Sequence, residues 1–204
     1  MRFFRLLDDV EFPGRWHLST ISDADNWRLA RPPVLGMDDP LRDQVLKVGL
    51  RQSGTPLDYS LAGYAGVPVV GFKVLQAISR LDGLTTIPAK VEGFQQKTSY
   101  HILHFWDEAD CVDEGASQFE KYQVNDPVRP DLAGNYSAFV RLVIDPSRTR
   151  GKHIFRLARS GVEVVISEEV KRRFEDAGVT GAVFQDVTGD HKPLPDHSAG
   201  SSGT

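Results

Sequence analysis

A single cysteine, Cys111, stands in the 204-residue chain. One thiol can form no intramolecular disulfide and no cysteine-cluster zinc site. A reducing compartment is therefore the simplest expectation. Charge of one sign is scarce as well: 24 Lys and Arg against 28 Asp and Glu leave a net charge of −4. That balance argues mildly against nucleic-acid binding, which usually shows a basic face. No run approaches the roughly 20 apolar residues of a membrane span. The opening MRFFRLLDDVEF carries Arg2, Arg5, Asp8 and Asp9, so it lacks the apolar run of a secretion signal. The expectation is a cytoplasmic protein with no membrane and no nucleic-acid partner.

The short motifs of cofactor and hydrolase chemistry are also missing. Gly63, Gly66 and Gly71 neither follow the dinucleotide fingerprint nor lead into a phosphate loop with G-K-[ST]. No G-x-S-x-G elbow presents a nucleophilic serine. No cofactor is expected.

What is present is an ordinary globular composition, 40% hydrophobic and 25% charged. A chain of this length can bury roughly 70% of its unfolded surface, so its core needs neither disulfide nor metal. Residues 153–187 organise the rest. The run 153–157 is apolar and aromatic, Ser160-Gly161 is a turn dipeptide, and 162–166 is an almost unbroken β-branched strand. Ser167 stands where a helix needs a cap, and Glu168 and Glu169 place negative charge in its first turn. Val170, Phe174 and Ala177 recur at helical spacing, and Gly178 ends the helix. Ala182, Phe184 and Val187 predict a returning strand.

The same unit recurs upstream. With Val67 set against Val162, Val69, Val70, Gly83 and Thr85 fall on Val164, Val165, Gly178 and Thr180. Both segments read strand, helix, glycine stop, strand. Internal duplication and chance likeness between two buried units both fit.

The closing pattern IFRL…VVISEEVKRRFEDAGVTGAVF resembles the C-terminal signature of the Imm11 family, immunity proteins of bacterial polymorphic toxin systems. Leu57-Asp58-Tyr59, the run GVPVVGFKVLQAI at 66–78, and Cys111-Val112-Asp113 followed by Ser117 fit as well. The resemblance spans residues 25–187. Gly71 departs from it, since a serine cap like Ser167 is expected there. The resemblance implies a cytoplasmic immunity protein that binds a cognate toxin domain by direct stoichiometric contact and is not an enzyme.

Elsewhere the chain predicts a strand early in 1–14, irregular connection with one short helix through 15–40, and a strand or helix at 41–50. A strand at 99–106 leads into an acidic loop at 107–117, and a further strand covers 137–144. The fold expected is α+β, a mixed sheet with two strand–helix–strand units. It forms one domain over 1–187, with residues 1–60 as a small irregular N-terminal lobe. The polar residues 188–204 lack periodicity and read as a disordered tail.

Chemistry concentrates in one region: His101, His104, Asp107, Asp110, Cys111 and Asp113. Histidines three apart share a helix face and could grip a metal, but on a strand they point to opposite sides. Cys111 could serve as a nucleophile with either histidine as base. A small hydrolase using Cys111, or a metal held near His101 and His104, is therefore the alternative reading. The carboxylates lack the spacing and central glycine of a calcium loop. They suit an acidic patch for a basic partner, made of Trp106, Asp107, Glu108, Asp110, Asp113 and Glu114.

Overall fold

The computed structural model describes residues 1–23, 43–63, 66–94 and 99–189. In the first half, the strands are β1 (Phe3–Asp8), β2 (His17–Ser22), β3 (Leu46–Gln52), β4 (Tyr59–Ala62), β5 (Val67–Val70), β6 (Leu84–Val91) and β7 (Tyr100–Phe105). Helix α1 (Phe72–Ala77) lies between β5 and β6. The second half holds β8 (Glu108–Ala109), β9 (Gln118–Lys121), β10 (Tyr136–Arg141), β11 (Ile154–Leu157), β12 (Val164–Ser167), α2 (Glu168–Asp176) and β13 (Ala182–Asp186). They form a six-stranded sheet in the order β2-β3-β6-β7-β5-β4, a five-stranded sheet β13-β1-β12-β11-β8, and a ribbon β9-β10. The α+β class is as expected.

The organising segment folds as its residues dictate. Every residue of β12 is buried, in keeping with its unbroken apolar run. Ser167 Oγ accepts the Val170 N–H at the start of α2, and Glu168 and Glu169 occupy the first turn. Val170 and Phe174 form the buried stripe. At the far end Gly178 adopts φ +60. Its N–H donates to Glu175 O at 3.0 Å, and the Val179 N–H donates to Phe174 O at 3.0 Å. The last carbonyls of the helix are thereby satisfied. In α1 the cap position is Gly71, with no side-chain cap bond. Its N–H donates to Asp58 O at 2.8 Å, and a Cβ there would stand 3.4 Å from Asp58 Oδ1. The serine expected at 71 is replaced where the chain passes close to Asp58.

The two units also share a layout. β5 and β6 both run antiparallel to β7, which lies between them. β12 and β13 both run antiparallel to β1, which lies between them. On the outer side β4 pairs antiparallel with β5, as β11 does with β12. The middle strand alone differs in origin: β7 follows its unit, whereas β1 comes from the N-terminus.

That origin corrects the expected N-terminal lobe. The described part of 1–60 is divided between two sheets, with β1 inside one and β2, β3 and β4 in the other. β1 can do this because both its faces are apolar. Phe4 and Leu6 join one buried cluster and Phe3 the next. The 15–40 stretch also opens on a strand, β2, rather than irregular chain. Trp16 is fully buried, and its indole N–H donates to Ser60 Oγ at 2.8 Å. That bond ties the start of β2 to β4, so the six-stranded sheet curls until its edge strands approach. The proposed helix near 23–27 lies almost wholly outside the described residues. At the other end order passes the expected boundary: the Phe3 N–H donates to Thr188 Oγ1 at 2.8 Å. The rest of the predicted tail, from 190 onward, lies outside the described residues.

One cluster fills the curled sheet, with Trp16, Leu46, Val48, Val69, Ile87 and Ile102. A second holds the two helices between the sheets, through Val74, Ile78, Val170 and Phe174 with Phe4, Leu103 and Phe105. Asp58 joins the halves directly. Its carboxylate accepts the Thr180 N–H at 3.0 Å and the Thr180 hydroxyl at 2.8 Å, while the Tyr59 N–H donates to Thr180 O at 3.0 Å.

Candidate partner-binding face

β7 delivers the chain to the region where chemistry was sought. Its alternation places Tyr100 and Ile102 inside the curled sheet, and Leu103 and Phe105 against the helices. His101 and His104, three apart on a strand, therefore lie on opposite faces. His101 is held below the usual histidine range by burial. Among the described residues no three His, Cys, Asp or Glu side chains gather in a metal-binding group.

The strand ends where Trp106 and Asp107 both donate their N–H groups to Gly83 O, at 3.1 and 3.2 Å. The Trp106 side chain is 52% exposed. The acidic segment then departs from expectation, because it is partly a strand. Glu108 and Ala109 form β8 and pair in parallel with Arg156 and Leu157. Ala109, Cys111 and Val112 are buried beneath it with Phe155 and Ile144.

Burial pushes the Cys111 thiol up to about 12 from an ordinary 9.0. A nucleophilic cysteine needs the opposite shift. Because its proton is held more tightly in the folded state, Cys111 has no linkage effect well below pH 9. Above pH 9 the unfolded state ionises and the native state does not, so stability falls toward pH 12. The slope approaches about 1.4 kcal/mol per pH unit. Denaturant unfolding of wild type and Cys111→Ala at pH 8, 9 and 10 should show the steeper decline in wild type. Parallel pH profiles would contradict the assignment.

The nearest approach to a serine–histidine pair is also structural. His153 Nδ1 lies 2.9 Å from Ser167 Oγ and 3.7 Å from Glu169 Oε2. A catalytic triad uses opposite ring nitrogens for serine and carboxylate, whereas here one nitrogen meets both. Ser167 is moreover fully buried as the α2 cap.

The carboxylates of the acidic segment are largely engaged within the chain. Asp107 pairs with Lys152 at 2.6 Å. Asp110 pairs with Arg159 at 2.9 Å and Arg148 at 3.5 Å. Asp113 turns inward on its own loop, accepting the N–H groups of Gly115 and Ala116 at 3.0 and 3.1 Å. Glu114 accepts Lys121 Nζ at 2.8 Å and the Tyr136 hydroxyl at 2.6 Å, with Arg159 at 3.6 Å. The Lys121 and Tyr136 hydrogen bonds hold its carboxyl below the usual range. Glu108, exposed on β8, and Asp113 have no ion pair among the described residues.

The result is a chain of alternating charge, Arg148–Asp110–Arg159–Glu114–Lys121, in place of the bare acidic patch. Its cations come from distant segments: a turn at Pro146–Thr149, the β11–β12 turn, and β9. Sequence reading missed them, although the basic run RTRGK at 148–152 was a signal. Two shallow concavities share Arg148. One, of about 400 Å³, is lined by Val112, Asp113, Glu114, Asp145, Arg148 and Arg159. The other, of about 470 Å³, includes Glu108, Asp110, Arg148, Arg150 and Lys152.

Two sheets joined through a pair of packed helices define an α+β protein, and no helix among the described residues is long and apolar enough to cross a membrane. The sequence matches the model of the immunity protein family Imm11 over residues 7–189, nearly the whole chain. The chain belongs to that family. A search of curated proteins finds no match.

Proposed function

We propose that this chain is a cytoplasmic immunity protein of a polymorphic toxin system, which binds one cognate toxin domain and blocks its activity by direct contact. Membership of the Imm11 family carries this reading. The face around Trp106, Asp107, Glu108, Asp110, Asp113 and Glu114 is our candidate for part of the interface. Its support is composition: Trp106 is exposed, and Asp110 and Glu114 meet Arg148 and Arg159, with tryptophan and arginine among the residue types that dominate binding energy at interfaces. Because its charges alternate, complementary pairing would select among toxins rather than steer any basic protein.

Co-expression tests the function. The wild-type chain should restore growth of cells producing the toxin domain, and the two should co-purify in equal amounts. Within that assay Asp110→Lys should weaken binding by about tenfold or more. It should cost no more than about 1 kcal/mol of stability, since exposed ion pairs contribute about 0–1 kcal/mol. Unchanged affinity would remove this face from the interface.

We also read the shared layout of the two strand–helix–strand units as the product of duplication. Family sequences whose two units are no more alike than unrelated units would remove that reading.

The hydrolase alternative has less support, given the protonated, buried Cys111 and the divided histidines. Loss of a measured activity in Cys111→Ala or His104→Ala would restore it.

A further inference from the structure

Three arginines are largely withdrawn from solvent, and two of them are neutralised. Arg5 grips Glu163 through Nε and Nη2, at 2.5 and 2.6 Å. Arg15, 5% exposed, donates to Asp8 Oδ2 at 2.7 Å. The third, Arg156 on β11, is 8% exposed, and its guanidinium has neither hydrogen bond nor ion pair among the described residues. It lies over the Phe105 ring, 5.5 Å from the centroid, with Nε sealed from solvent. Glu108 stands opposite it on β8, but that side chain is exposed and makes no ion pair with it. Glu108 instead lines the outer concavity that holds Arg150.

Tyr59 shows the same deficit. It is fully buried on β4, in the cluster that holds the helices, yet its hydroxyl has no hydrogen-bond partner. Burial raises that hydroxyl far above the usual phenol range, Asp8 and Glu163 add to the rise, and Arg156 opposes it. The group therefore stays protonated and free to donate. Each of the two carboxylates is already held by its own arginine. Asp8 Oδ1 also lacks a hydrogen bond, but its charge is offset through Oδ2. A desolvated guanidinium without a counter-charge is among the costliest arrangements in a protein interior. A buried hydroxyl without an acceptor adds to that cost. One anion answers both, since it neutralises the cation and accepts from Nε–H and O–H.

We propose that Arg156 and Tyr59 together hold one small monovalent anion, of the size of chloride, between β11 of one sheet and β4 of the other. The sealed position of Nε and the hydroxyl excludes a large organic acid. Asp8 and Glu163 nearby exclude a polyanion. The ion joins the two halves electrostatically, beside the clamp of Asp58 on Thr180. The site does not depend on the immunity reading.

Thermal unfolding at matched ionic strength tests it, with sodium chloride set against sodium gluconate, whose anion is too large to enter. The wild type should melt higher in chloride by about 2 °C or more, because a ligand of the folded chain alone raises the midpoint. Arg156→Met keeps an unbranched side chain and removes the charge. In gluconate it should melt as high as the wild type or higher, since an apolar replacement for an unpaired buried charge does not destabilise. Its midpoint should be the same in both salts. Tyr59→Phe should shrink the chloride effect without abolishing it. Equal wild-type midpoints in the two salts would overturn the site, leaving water alone against the two groups. A chloride effect undiminished in Arg156→Met would also overturn it, as an adventitious ion only. So would an Arg156→Met chain that melts far below the wild type in gluconate, because the arginine would then be satisfied within the chain.

Discussion

Gly181→Ala is expected to destabilise the protein by about 2–5 kcal/mol, a large share of the 5–15 kcal/mol that holds a typical domain together. Two costs add. Gly181 sits at φ +85, where a Cβ is strained. That Cβ would also press on the Tyr59 carbonyl oxygen and stand 2.8 Å from Leu57 Cβ. The neighbours cannot yield easily, because Leu57 and Tyr59 are both buried and Tyr59 begins β4. Gly178→Ala is the control. It too has positive φ, at +60, but nothing lies within 4 Å of its missing Cβ. Conformational cost alone, about 1 kcal/mol, is expected there. Urea unfolding of both variants checks the difference, and equal losses would mean that the Leu57–Asp58–Tyr59 segment does not dock on the 180–181 turn.

The second large effect is at Phe174. The ring is 1% exposed and meets Phe184 edge-on with centroids 6.0 Å apart. It belongs to the cluster that holds both helices and both sheets. Truncation to alanine removes a large buried ring and leaves a cavity, for an expected loss of about 3–5 kcal/mol. The helices also cap one another: Lys73 Nζ donates to Gly178 O at 2.9 Å, and Arg173 Nη1 to Ala77 O at 3.4 Å. We therefore expect Phe174→Ala to unfold in one transition, with fluorescence and circular dichroism giving the same midpoint. Two separated transitions would show that the units fold independently and that the chain is not one domain.

These sites mark what sequence can and cannot convey. α2 was legible end to end, because its cap, stripe and glycine stop are local features that act within a few residues. The first unit was legible by comparison with it. β1 was not recognised as a central strand, since its partners β12 and β13 lie more than 150 residues away and nothing local records a pairing. The clamp of Asp58 on Thr180 was invisible for the same reason, although both residues lie in segments that carry the family resemblance. On the functional face, the carboxylates could be read as a run. Their cations, Arg148, Lys152 and Arg159, reach them only through the β8–β11 pairing, so a balanced network looked like an acidic patch. The strand assignment at 99–106 correctly separated His101 from His104, because alternation is local.

The most direct test of the proposed function is to titrate the purified chain into the reaction of the toxin domain it protects against. Stoichiometric neutralisation predicts that activity falls linearly and is extinguished at one equivalent. Complete inactivation by a small fraction of an equivalent would contradict the account, because only an enzyme that destroys or modifies the toxin could act at that ratio.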